Sequence, residues 1–187
     1  MRRSLLAVLF LAASTAASGQ VAEFAVSGGT HSFGDSDLGS GYSLDGGFRL
    51  AFRLTLNTWR FAGHEFGYAY NRTQLQFGGL DAGGMGVHQG FYNFLLYATP
   101  EGTRIRPFAT GGGHFSNFVP PGQSATYGQG SNKFGVNYGG GLKFILTDKY
   151  AVRFDVRQFL TGKPFDLPGV SGNLRQTEYT VGFGIVL

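Results

Sequence analysis

The segment His114-Phe115-Ser116-Asn117 brings a nucleophile and a general base to close spacing. In an extended strand, residues two apart share a face and lie about 7 Å from one another along the chain. His114 and Ser116 are therefore expected side by side. A serine hydroxyl placed in this way attacks an ester carbonyl while the imidazole takes its proton, and a carboxylate orients the imidazole. Residues 118–147 contain no Asp or Glu, so the acid would have to come from elsewhere in the chain. The plainer reading of the same residues is a polar strand end approaching the uncharged segment 119–132.

A second set of ionisable residues falls on one side of the predicted strands. Arg49, Arg53, Lys143, Arg153 and Arg157, with Glu65, Asp155 and Glu178, alternate with large apolar side chains or share their face with Gly, Ala and Thr. Five cations and three anions on an enclosed face must pair, and either they fill a narrow interior as a salt-bridged plug or they line a gated ion path. Arg153 and Asp155 are expected to form such a pair, so that replacing either alone costs more than replacing both, because a lone buried charge is the expensive case. The other histidines, His31, His64 and His88, show no metal-ligand spacing. Gly111-Gly112-Gly113 and Gly139-Gly140-Gly141 lack the Lys-Ser/Thr and the helix of a phosphate loop. No cofactor or metal is expected.

The elements that carry these residues follow from period-two patterning. Phe48, Leu50, Phe52, Leu54 and Leu56 alternate with Arg49, Ala51, Arg53 and Thr55. The same alternation runs through Phe134 to Thr147, through Tyr150 to Arg157, and through Gln176 to Leu187. Fainter strands are predicted near 21–33, 64–77, 85–98 and 103–117. In the last two of these, Phe91-Tyr92 and Pro107-Phe108 load both faces and leave the outward one open. Longer connections at 34–40, 79–84, 119–132 and 163–173 are expected to alternate with tight ones near 57–63, 100–102 and 147–149. The aromatics Trp59, Tyr42, Tyr97 and Tyr150 at strand ends suit interfacial girdles.

Composition narrows the class. Among 187 residues, charged side chains make up 14% and aromatics 16%, where an average soluble domain carries about 25% charge. The absence of cysteine excludes a lipoprotein anchor, a disulfide scaffold and any thiolate metal site. The formal net charge is +4, of which Arg2 and Arg3 supply two, so nothing points to nucleic acid. Met1-Arg2-Arg3, the apolar run Leu5 to Ala13 and the small residues Ser14 to Gly19 read as a cleavable signal peptide over residues 1–19, with Gln20 as the first mature residue. Beyond it no apolar run is long enough to make a spanning helix, which needs about 20 residues.

The expected fold over residues 20–187 is an all-β, closed antiparallel transmembrane barrel of about eight strands, with both termini periplasmic. A soluble barrel would invert the pattern, with the apolar face inside. The motifs Arg106-Pro107-Phe108 with Gly111-Gly112-Gly113, Asn137 to Gly141, and Tyr150 to Arg157 resemble the bacterial outer-membrane β-barrel domain family, small barrels similar to outer-membrane protein A. The terminal strand, rich in aromatics and ending at Leu187, resembles the signal such barrels present to the barrel-assembly machinery. That resemblance implies an outer-membrane location among outer-membrane lipids and lipopolysaccharide, and a structural or surface-binding role carried by loops such as 119–132. His114-Phe115-Ser116-Asn117 also resembles the His-x-Ser-Asn motif of outer-membrane lipid A deacylases, which implies a lipid A 3-O-deacylase with Ser116 as nucleophile and His114 as base. Those enzymes supply a Glu shortly after the motif, and this chain has none there. A narrow channel is the third reading.

Overall fold

The structure is a computed structural model that describes residues 21–34, 36–125, 128–166 and 171–187. In chain order its strands are β1 (Val21–Phe33), β2 (Asp37–Gly39), β3 (Tyr42–Leu44), β4 (Gly47–Trp59), β5 (Ala62–Phe77), β6 (Leu80–Tyr97), β7 (Ile105–Val119), β8 (Ser131–Thr147), β9 (Tyr150–Gly162) and β10 (Asn173–Val186). Eight of these, all but β2 and β3, pair antiparallel with their neighbours around a closed ring. Closure is made by β1 on β10, from Glu23 opposite Val186 to Phe33 opposite Gln176. Both described chain ends therefore lie at one end of the barrel, called here the termini end.

Lipid supplies no hydrogen bonds, so a spanning sheet is stable only when no edge is left unpaired. The alternation then sorts side chains by face. On β4 the side chains of Phe48, Leu50, Phe52 and Leu54 are exposed on the outer wall, while Arg49, Ala51, Arg53 and Thr55 are buried inside. β9 and β10 repeat the arrangement, with Phe154, Val156, Tyr179, Val181 and Phe183 outside and Arg153, Asp155, Arg157 and Glu178 inside. A tilted strand crosses a bilayer in about 9–11 residues. β1 and β4 have 13 residues each, whereas β6 has 18 and β8 has 17, so this side of the barrel projects beyond the apolar band.

The connections differ from the expected alternation. β5 and β6 meet in a two-residue turn at Gly78 and Gly79, both with positive φ (59° and 81°) as a type I′ hairpin turn requires. Most of the expected loop at 79–84 is therefore strand. The termini-end connection between β6 and β7 runs from 98 to 104 and is the longer of the two. Within the first long connection the hairpin β2–β3 forms and adds to β5 through Tyr42 opposite Phe77; its runs of three residues are too short to show a period. The open question on β6 and β7 is settled by aromatic side chains turned inward. Phe91, Leu95, Tyr97 and Phe108 are buried in the lumen, while Tyr92 and Leu96 face outward. Tyr97 is thus removed from the interfacial girdle, and Trp59 and Tyr150 stay exposed. The expected signal peptide, residues 1–19, lies outside the described residues.

One inward glycine makes room for arginine. A Cβ on Gly139 would lie 2.2 Å from the Val156 carbonyl oxygen and 3.0 Å from Cγ of Arg157. Elsewhere the space is taken by other groups: His114 at Gly135, Phe108 at Gly141 and Glu23 at Gly184. Gly90, facing outward, would meet nothing within 4 Å. Gly139→Val should therefore lose most of the compact, fast-migrating band on unboiled gels, whereas Gly90→Val should keep it. Equal bands for the two variants would contradict the packing described.

Candidate functional site

The lumen is built from inward side chains of all eight barrel strands, and its centre is a four-residue ionic knot. Glu65 on β5 faces Arg153 and Arg157 on β9, four strands away around a ring of eight and hence on the opposite wall. Its two oxygens accept from Arg153 Nη1 at 2.6 Å and Arg157 Nη1 at 2.7 Å. Asp155, between the two arginines on β9, accepts from Arg153 Nη2 at 2.8 Å and Arg157 Nη2 at 2.9 Å, and lies 3.5 Å from Arg53 Nη1. Each of these side chains is at most 1% exposed. The knot braces the barrel across its diameter.

Two further layers flank it. Away from the termini, Arg49 binds Glu178 and donates to Asn71 at 2.9 Å and Gln89 at 2.7 Å; Gln89 donates onward to Gln176 at 3.1 Å. Its guanidinium also lies 5.2 Å from the centre of the Phe159 ring. Toward the termini, Lys143 Nζ donates to Glu23 at 2.7 Å and to the Tyr97 hydroxyl at 3.2 Å, and Arg106 sits 3.7 Å from the Tyr97 ring centre. Beyond the Arg49 layer the polar filling gives way to an apolar cluster of Leu38, Leu44, Met85, Val87, Phe118 and Leu174. Each carboxylate of these layers is paired with a cation in place of water, as a narrow lumen demands, while Arg49 Nε and Nη2 and Arg53 Nε have no hydrogen-bond partner among the described residues.

This chain belongs to the outer membrane protein beta-barrel domain family. The family's model matches residues 4–186. Among solved structures, the barrel is similar to Neisserial surface protein A (TM-score 0.62, 14% identity, 90% of this chain and 97% of that one). It is also similar to the outer membrane protein OprG of Pseudomonas aeruginosa (TM-score 0.59, 15% identity, 88% and 95% covered). The N-terminal barrel domain of OprF from the same organism matches with a TM-score of 0.58 at 10% identity, covering 89% and 97%. At these identities the likeness is one of fold. Comparison with curated proteins gave no match. The protein is an outer-membrane barrel.

All eight charged residues expected inside this barrel are in the lumen and within one network or its flanking layers. Two members escaped the sequence reading. Glu23 was legible, since it shares its face with Ala25 while Phe24 and Val26 take the other. Arg106 was hidden by the aromatic loading of both faces at Pro107-Phe108. His114 and Ser116 do share the inner face. Ser116 is fully buried and its hydroxyl has no hydrogen-bond partner. His114 Nε2 is 2.7 Å from the Thr161 hydroxyl, and its ring packs edge-on against Phe159. Among the described residues no carboxylate is bonded to His114, so nucleophile, base and acid are not linked.

Arg153 and Asp155 are paired, but as part of the larger knot. Asp155 also serves Arg157 and Arg53, and removing both Arg153 and Asp155 would leave Arg53 without its carboxylate. The isolable pair is Glu23 with Lys143. Breaking a buried pair costs about 3–5 kcal/mol, while replacing both partners by apolar groups is often near neutral. Lys143→Met and Glu23→Leu should each lower the gel-shift melting temperature well below that of the double variant. A double variant no more stable than the singles would refute the pairing.

Proposed function

We propose that this outer-membrane barrel has a non-enzymatic, structural or surface-binding role, with a lumen sealed by its paired charges and any ligand met by its loops. The single observation that carries this reading is the filling of the lumen: Arg49, Arg53, Lys143, Arg153 and Arg157 are among the largest fully buried side chains of the molecule. A wall-to-wall knot in an eight-stranded barrel leaves no path for bulk solute. The apolar cluster above the Arg49 layer adds a second closure.

The esterase reading lacks support from the same geometry. The acyl esters of membrane lipids lie against the outer wall, whereas Ser116 and His114 are buried on the inner one. The termini end, with its two-residue connections at 60–61 and 148–149, is assigned to the periplasm, as short turns usually are. Surrounding outer-membrane lipids and lipopolysaccharide, and the barrel-assembly machinery during insertion, are the partners this location implies.

Planar-bilayer recording should give no steady conductance from the wild type, and Arg153→Ala with Arg157→Ala should open one. A wild-type channel of stable conductance would overturn the sealed lumen. Because the chain has no cysteine, orientation is testable by single-site labelling. Leu80→Cys, at the exposed β5–β6 turn, should react with a membrane-impermeant maleimide on intact cells, and Asp148→Cys should not.

A further inference from the structure

The outer wall is not uniformly apolar. On β5 and β6 the outward side chains include His64, Tyr68, Tyr70, Arg72, His88 and Tyr92. His64 Nδ1 is 2.7 Å from the Tyr92 hydroxyl and His88 Nδ1 is 2.5 Å from the Tyr68 hydroxyl, so these polar groups satisfy one another. Arg72 differs from them. Among the described residues it has neither an ion pair nor a hydrogen bond from its side chain, and its guanidinium occupies the space beside Gly84, where a Cβ would come within 2.0 Å of Nη2.

Over this patch folds the connection that follows β7. Val119 to Ala125, with Pro120 and Pro121, forms a roof whose Pro121 comes within 3.1 Å of the position a Cβ on Gly83 would take. Between roof and wall is a cavity of about 560 Å³, lined by Tyr70, Arg72, Gly84, Gly86 and His88 on the wall side. Arg72 is in register with Phe48, where the outward apolar series of β4 begins. The cavity therefore sits on the lipid side of the barrel, at the edge of the apolar band farthest from the termini.

Below it, past the outward Phe115, the wall of β7 loses its large side chains. Ala109, Gly111 and Gly113 are consecutive outward positions of β7, flanked in register by Tyr92 and Phe94 of β6 and by Val136 and Tyr138 of β8. Packing does not require these glycines. A Cβ would find its nearest neighbour 3.8 Å away at Gly111 and 3.9 Å away at Gly113, and none within 4 Å at Gly90. Every outward position of β10 from Tyr179 to Ile185 carries a large side chain by contrast.

We propose that the wall of β5–β7 seats one outer-leaflet glycolipid, with a phosphorylated sugar headgroup in the roofed cavity and an acyl chain along the Gly90, Gly111 and Gly113 furrow. The chemistry selects that occupant: a free guanidinium binds a phosphate oxygen pair, Tyr70 offers an aromatic face to a sugar, and the furrow accepts a hydrocarbon chain. A free anion would need no furrow, and a simple phospholipid would leave the sugar-sized cavity underfilled. The proposal rests on the loop end facing outward.

The test is native mass spectrometry of the refolded barrel in detergent with bisphosphorylated lipid A, its dephosphorylated form, and phosphatidylglycerol. The wild type should retain the bisphosphorylated lipid selectively. Arg72→Ala should weaken retention by about tenfold, the scale of one lost charged hydrogen bond, and Gly90→Val with Gly111→Leu should weaken it while the compact gel band persists. Arg175→Ala, an outward cation on β10, should change nothing. Equal retention by Arg72→Ala, or of the dephosphorylated lipid or phosphatidylglycerol by the wild type, overturns the seat. If Leu80→Cys labels on intact cells, that failure belongs to the seat and leaves the orientation standing; if it does not label, the glycolipid never meets this wall and the proposal falls with the orientation.

Discussion

The backbone hydrogen bond is the interaction on which everything else in this molecule depends. In hydrocarbon an unpaired N–H or C=O costs several kcal/mol, so the sheet must close, and the β1–β10 ladder from Glu23 to Phe33 is what closes it. Closure with eight strands fixes the diameter, and the diameter leaves a lumen wide enough only for side chains. From there the placement of charge has little freedom. Ionisable residues on the outer wall would face lipid, and those on the inner wall must find partners within reach.

The inner wall meets that demand in layers. Glu65 spans the diameter to Arg153 and Arg157, Arg49 collects Glu178 with three amides close by, and Lys143 takes Glu23. Aromatic rings fill the spaces between, with Phe108 against Arg153, Phe159 against Arg49 and Tyr97 against Arg106. A guanidinium stacked on a ring while bound to a carboxylate recovers part of its lost hydration from two sources. Aromatic side chains on the inner face of β6 and β7 thus belong to the same solution as the charges.

That solution also explains where the sequence could mislead. His114 and Ser116 have the spacing of a base and a nucleophile, and the strand does place them on one face. That face is the inner one, and His114 Nε2 meets the Thr161 hydroxyl there, with no carboxylate bonded to the ring among the described residues. Spacing along one strand determines which residues are side by side. What lies across the lumen depends on the curvature of the whole sheet.

By itself the sequence determined the eight barrel strands and, for β4 and β8 to β10, which residues turn inward. Period-two alternation is a local property, and an apolar face without interruption has one stable orientation in lipid. It also placed eight of the charges in the interior, though not Glu23 or Arg106. Only the tertiary structure decided their partners, because Glu65 and Arg157 lie 92 residues apart in sequence and meet through closure of the ring. The facing of β6 and β7, the inward turn of Tyr97, the β2–β3 hairpin and the roof over Arg72 were settled in the same way, by packing between segments whose local pattern fits either outcome.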